Sequence, residues 1–289
     1  MWVDRSGSAT RLALDPAEYW LPRLSPDGRR LAVGIGTDLW VIDLERGGRT
    51  RLTFGQTARL FPFTWTADGR DIVFASPGTN RISRVPADGS GKPSVVLEGK
   101  QPQWPADTSP DGRVLAFYKN NASGCLRDLW TLPSAAGAAP TLFLGTPFQE
   151  RSPRFSPDGR WIAYVSNESG RDEVYVRPYP GPGGQIAIST NGGTQPVWSR
   201  TTRELFFRSG TALMAVGFER GASLAPGAPR LLFQEEEFIL EVGGPGGNPH
   251  YDVHPDGKRF LMLTGMPTPA RAQVVLNWQE ELKRLLPAE

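Results

Sequence analysis

The chain holds two histidines, His250 and His254, in the phrase PHYDVHPDG with Asp252 between them. On an extended strand, residues two apart project to the same side. His250, Asp252 and His254 would then form one polar row able to ligate a metal if the row faced a channel. The competing expectation is structural: Tyr251 and Val253 pack inward, the polar three meet solvent, and His254 fills the place before a turn. The structural expectation is carried forward, so no metal site is assigned. The run DGSGKPS at 88–94 has the small residues of a phosphate loop, but it lacks the first glycine and places Pro93 where a Ser or Thr is needed. It is expected to connect two strands. There is no G-x-S-x-G nucleophile elbow, and Cys125 has no histidine near it in sequence to act as a base. The carboxylates Glu235, Glu236 and Glu237 form a run that reads as a solvated loop. No catalytic residue and no cofactor are assigned, and the chain is expected to bind and not to catalyse.

The elements that must position any such residues are set by a repeat. SPDGR stands at 25–29, TADGR at 66–70, SPDGR at 109–113 and 156–160, and HPDGK at 254–258, with the worn copy SRTTRE at 199–204. Aligning Asp27, Asp68, Asp111, Asp158, Thr202 and Asp256 gives spacings of 41, 43, 47, 44 and 54, close to the period of propeller blades. The phrase has a mechanical reading. Proline presets the first corner of a type I turn, aspartate bonds nearby amides, and glycine accepts the left-handed backbone that follows. The pairs Asp27–Gly28, Asp68–Gly69, Asp111–Gly112, Asp158–Gly159 and Asp256–Gly257 are therefore expected to be structural corners joining antiparallel strands.

Short apolar pieces precede each corner, and strand-like runs rich in aromatic and β-branched residues follow it. A third strand is expected at 38–43, 81–85, 128–132, 173–177 and 212–216, and a weaker fourth at 50–53, 94–97, 141–144, 185–188 and 230–233. Four strands per unit and six units predict an all-β fold, a six-bladed β-propeller of four-stranded antiparallel blades. A single domain spanning 1–289 is expected, with blades near 21–57, 62–100, 103–146, 153–193, 196–235 and 250–276. The sixth unit shows strands at 251–253, 260–263 and 273–276 and then runs out. Segment 2–14 reads like the third and fourth strands of a blade without its first two, so the N-terminal strand is expected to close the ring. Asn277, Trp278, Leu282, Leu285 and Leu286 have helical spacing, which predicts a short C-terminal helix over 277–286 that seals the last blade. The Gly-rich loop 243–248 is a candidate lid or a simple insertion, and Trp65, Trp104 and Trp198 are expected to pack the core.

Composition agrees with that architecture. The 289 residues include 33 glycines and 27 prolines, which excludes a helical bundle. A formal net charge of +2 argues against a nucleic-acid groove, which needs a concentrated basic stripe. No run is long and apolar enough to span a membrane, the first ten residues do not read as a signal peptide, and the compartment is left unassigned. The partner is expected to be a protein or a small molecule held on one face of the ring.

The units resemble the Asp-Gly propeller repeats of TolB-like proteins. SPDGRWIAYVSNESGRDEVYVRPYPGPGG at 156–184, TQPVWSRTTRELFFRSG at 194–210, VVLNWQEELKRLLP at 274–287 and WVDRSG at 2–7 further resemble the C-terminal propeller of bacterial eukaryotic-like serine/threonine kinases. That resemblance implies a sensor or binding module outside the membrane, carried by a kinase whose catalytic motifs are absent from this chain. The alternatives are a TolB-like periplasmic scaffold, and a propeller-borne lyase, hydrolase or peptidase cap.

Overall fold

A computed structural model of the chain describes residues 1–54, 61–76, 78–219, 224–234 and 249–265. Among them the regular elements are strands, arranged as six antiparallel sheets of four. Blade 1 runs outward through Tyr19–Leu24, Arg30–Ile35, Asp38–Asp43 and Arg49–Arg51. Blades 2 to 5 repeat this order from the innermost strands Phe61–Trp65, Gln103–Thr108, Glu150–Phe155 and Thr194–Trp198. Each innermost strand lies against the next, and that of blade 6, Tyr251–Val253, returns against blade 1. The sheets close into the six-bladed propeller that the repeats predict.

Each blade is sandwiched between two others, so its middle strands are buried on both faces and read as unbroken apolar runs. Ile162, Ala163, Tyr164 and Val165 in blade 4 and Leu205, Phe206 and Phe207 in blade 5 are all buried. The outermost strands have one neighbour and leave Val95, Val96, Leu142 and Leu231 exposed. Packing within a blade is close enough to dictate single residues. Trp20 pairs with Gly34 across blade 1, and a Cβ on Gly34 would fall 2.0 Å from the Trp20 ring.

The corner phrase is held by local bonds. In blade 1 the Ser25 carbonyl accepts from the Gly28 amide at 2.8 Å. The Asp27 carboxylate accepts from the Ser25 hydroxyl at 2.5 Å and the Arg29 amide at 3.1 Å. Gly28 has φ +74°, in the left-handed region. Asp68, Asp111 and Asp158 make the same bonds. In blade 6, His254 takes the serine's place and its Nδ1 stands 2.9 Å from Asp256. The corners also interlock, which no single repeat reveals. A Cβ on Gly28 would come within 2.8 Å of Pro255 in blade 6, and one on Gly69 within 3.2 Å of Pro26 in blade 1. Neighbouring turns thus gear together on one face of the ring.

The N-terminal segment closes the ring. Trp2–Asp4 pairs antiparallel with Arg259–Met262 in the register Trp2 to Leu261, Val3 to Phe260 and Asp4 to Arg259, and Ala9–Thr10 pairs outside it. Phe260 then sits edge-on to Phe206 and Phe233 of blade 5, with ring centroids 5.0 and 5.8 Å away. Arg5 adds a polar tie to Glu204 of blade 5 through both terminal nitrogens, one at 2.9 Å. The expected strand at 273–276, the helix at 277–286, the loop at 243–248 and the run Glu235–Glu237 lie outside the described residues. Among the described residues no helix is long and apolar enough to cross a membrane.

Candidate functional site

The expected row of His250, Asp252 and His254 does not converge. His250 stands at a bend before its strand, and its amide donates to the Gln195 side chain at 2.9 Å. Burial, with Arg23 nearby, lowers its imidazole to about 4, so it is neutral near pH 7. The His254 ring is folded back into its own hairpin, 2.9 Å from Asp256 and 3.1 Å from Arg259, with its centroid 5.4 Å from Trp2. Among the described residues no three His, Cys, Asp or Glu side chains gather to hold a metal. The expectation that the polar three meet solvent also needs correction, because Asp252 is buried. The turn geometry claims His254, and the axis of the ring claims Asp252.

That axis opens, on the turn face, into a cavity of about 270 Å³ lined by residues from all six blades. Every innermost strand ends at its corner, so the residue two places before the turn occupies the same position in each blade. Around the ring these residues are Arg23, Thr64, Asp107, Arg154, Val197 and Asp252, and all six line the cavity. A β-bulge in the innermost strands of blades 1 to 5 re-aims the chain just before this position. In blades 1, 4 and 5 the bulge holds Leu21, Ser152 and Gln195 at φ between +49° and +57°.

The order Arg, small, Asp occurs twice, giving the site an approximate two-fold symmetry of contacts. Asp252 accepts from the Leu24 amide of blade 1 at 2.7 Å, and Asp107 accepts from the Phe155 amide of blade 4 at 2.9 Å. The Trp65 indole donates to the Arg23 carbonyl at 2.9 Å, and Trp198 donates to the Arg154 carbonyl at 3.1 Å. Arg23 donates to the carbonyls of Pro22, Pro249 and Tyr251, and Arg154 to that of Ala106. Burial, then the Arg154 charge, brings the Arg23 guanidinium down to about 9. Burial raises the Asp107 carboxyl against the pull of Arg154 and the Phe155 amide.

A third arginine enters where the repeat is worn. Blade 5 carries Arg200 where blades 1, 3 and 4 carry Pro26, Pro110 and Pro157. Its guanidinium donates to the Ser25 carbonyl at 2.8 Å and the Leu24 carbonyl at 3.3 Å in blade 1. The rest of the lining is apolar: Trp65, Trp198, Phe155 and the turn prolines. A smaller groove of about 170 Å³ continues between blades 4 and 5, past Trp161, Phe218 and Leu224. Cationic groups over an apolar floor, fixed by backbone bonds and rigid turns, suit the capture of a polar group on a partner.

The sequence reading missed Arg23, Asp107, Arg154 and Arg200. Their signal was present: aligned on the turn, the column two places upstream carries four charges in six copies, and Arg200 replaces a repeat proline. The expected tryptophans divide. Trp65 and Trp198 are buried at the cavity wall, while Trp104 stacks on Tyr118 at 5.3 Å with Arg127 over its ring. Asp88 caps the Ser90 amide at 2.9 Å in the connection between the third and fourth strands of blade 2. Cys125 is exposed in a turn.

No protein-family model matches the chain. It is similar to the uncharacterized protein Atu1656 of Agrobacterium fabrum, at 32% identity over 161 residues, covering 51% of this chain and 54% of that one. It is also similar to tricorn protease homolog 1 of Streptomyces coelicolor, at 29% identity over 185 residues, covering 58% of this chain and 17% of that one. The chain thus spans about half the length of one curated relative and under a fifth of the other. A solved structure from Agrobacterium tumefaciens described as a TolB superposes with a TM-score of 0.72 at 18% identity, covering 92% of this chain and 97% of that one. The fold is that of a TolB-like six-bladed propeller.

Proposed function

We propose that this chain is a non-catalytic binding propeller of the TolB-like scaffold type, holding a partner protein at the axial cavity on its turn face. The observation that carries the reading is the cavity itself: six blades each deliver one side chain to a common mouth, and the charged ones are locked by backbone bonds in place of a nucleophile–base pair. Such preorganised polar groups over an apolar floor favour binding. The likeness to a TolB fold at 18% identity supports the scaffold alternative. A photo-crosslinking residue at Ala67, on the cavity rim, is expected to label a partner protein in cells. The same residue at Ser169, in the hairpin between the second and third strands of blade 4 and so on the opposite face, is expected to label none. Equal labelling from both faces would count against the reading.

The finer reading, a sensor module at the end of a membrane kinase, is supported by the resemblance of 156–184 and 194–210 to propellers of that class. It predicts a membrane span and a kinase domain encoded in frame upstream of residue 1. A genomic sequence with neither removes it and leaves the binding site unaffected.

A further inference from the structure

The two kinds of charge in the axial cavity are satisfied unequally. Both oxygens of Asp252 are spent on backbone amides, one on Leu24 at 2.7 Å and one on Val253 at 2.8 Å. Asp107 repeats this with Phe155 at 2.9 Å and Thr108 at 3.0 Å. Arg23 and Arg154 are held by one terminal nitrogen each, against backbone carbonyls, and Arg200 by both of its own. Among the described residues the Nε atoms of Arg23 and Arg154 have no acceptor, although the side chains are only 6% and 7% exposed. A buried guanidinium with idle donors is costly to keep unless something completes it. The acids are satisfied by the fold at both oxygens, whereas Arg23 and Arg154 are satisfied only in part.

We propose that the cavity formed by Arg23, Arg154 and Arg200 is a carboxylate-binding site, taking the chain end or an acidic side chain of a partner peptide. It deepens the binding reading above and rests on it. Three arginines less two aspartates leave a formal charge of +1 in the lining, which balances a monoanion and not a phosphate dianion. Guanidinium groups match a carboxylate's two oxygens. The volume, about 270 Å³, lies at the small end of ligand pockets and admits a side chain or a chain terminus. The Trp65, Trp198 and Phe155 walls give the aliphatic or aromatic part of that group an apolar bed. Arg200 stands exposed at the mouth, where it meets an incoming charge first.

The test is calorimetric titration of the whole chain with four probes: N-acetylphenylalanine, its amide, N-acetylglutamyl amide and inorganic phosphate. At least one carboxylate is expected to bind saturably at one site, with the uncharged amide and phosphate each at least about tenfold weaker. Binding by N-acetylphenylalanine alone identifies a chain end, and binding by N-acetylglutamyl amide alone identifies a side chain. Arg154→Met and Arg200→Ala should each weaken the carboxylate about tenfold or more. Arg200 is exposed, so an unchanged melting curve in Arg200→Ala keeps the result interpretable if Arg154→Met misfolds. The proposal is overturned if neither carboxylate binds, if phosphate binds more tightly, or if a folded Arg200→Ala retains full affinity. The two readings separate in the crosslinking assay. Undiminished labelling from Ala67 in Arg200→Ala rejects the carboxylate site alone, whereas no labelling from Ala67 in the unaltered chain rejects partner binding at this face.

Discussion

Replacing Asp252 with alanine should show whether the axial carboxylates are built into the ring. Its two oxygens serve the Leu24 and Val253 amides, which belong to residues 1% and 3% exposed. Orphaning a buried amide costs about 1–3 kcal/mol, so two cost roughly 2–6 kcal/mol. Removing the buried carboxylate also removes its own desolvation penalty, and the net loss is expected to be about 2–4 kcal/mol. For a chain of this size that corresponds to a fall in Tm of roughly 5–10 °C. Asp252→Asn keeps an acceptor and should recover about half of the loss. The control is Asp27→Ala, at an exposed corner: the Arg29 amide can turn to water, and only the buried Ser25 hydroxyl loses its acceptor. It should cost about 1–2 kcal/mol. Urea unfolding followed by tryptophan fluorescence measures all three. An Asp252→Ala variant no less stable than Asp27→Ala would show the reasoning about the ring's axis to be wrong.

Other perturbations read other parts of the ring. Phe260→Ala, at the seam between blades 5 and 6, should lose about 3–5 kcal/mol in the same assay; a loss under about 1 kcal/mol would mean that the closing blade is not packed as described. Gly34→Ala forces its Cβ into the Trp20 ring and should lower Tm strongly, and an unchanged Tm would contradict the close approach. Burial lifts the Glu150 carboxyl to about 7 against hydrogen bonds from Thr146 and Ser166. Between its ordinary value and about 7 the unfolded chain sheds a proton that the folded chain keeps, so stability falls as pH rises through that window. Glu150→Gln should gain on the unaltered chain by about 1–3 kcal/mol at pH 8 compared with pH 4.5, and parallel pH curves would refute this. Burial raises the Glu204 carboxyl, but bonds from Arg5, Thr202 and Arg230 more than reverse this and leave it below the ordinary range. Its contribution is present above the ordinary carboxylate value and fades as pH falls through the folded value, so the cost of Glu204→Gln in urea should shrink on acidification. A cost that grows there instead would contradict the Arg5 tie.

The corners made the fold legible. Aspartate and glycine at fixed spacing, behind a proline in four copies, specify a turn by local bonding alone, so five copies announce five hairpins and the spacing places the worn sixth, without any tertiary knowledge. Ring closure was legible too, because the strand Trp2–Asp4 and the one after it read as the outer half of a blade whose first two strands are missing. The gearing of Gly28 against Pro255 was not, since it arises between corners more than two hundred residues apart. The site was harder still. His250, Asp252 and His254 look like a row because strands alternate, but His250 precedes the strand and His254 belongs to the turn. Arg23 and Arg154 gave no motif, because each is alone in its repeat and acquires meaning only when six strands converge. The column two places before the turn held that information for an alignment of the repeats with one another.

The central claim is that this ring holds its partner on its axis at the turn face. Hydrogen exchange of the chain with and without the partner, followed at every amide, tests it without presupposing a face. Protection is predicted at 22–29, 63–70, 106–113, 153–160, 196–203 and 251–257, the strand ends and corners around the cavity. Protection gathered on the outermost strands at 94–98, 141–144 and 230–234, with the axis unchanged, would contradict it.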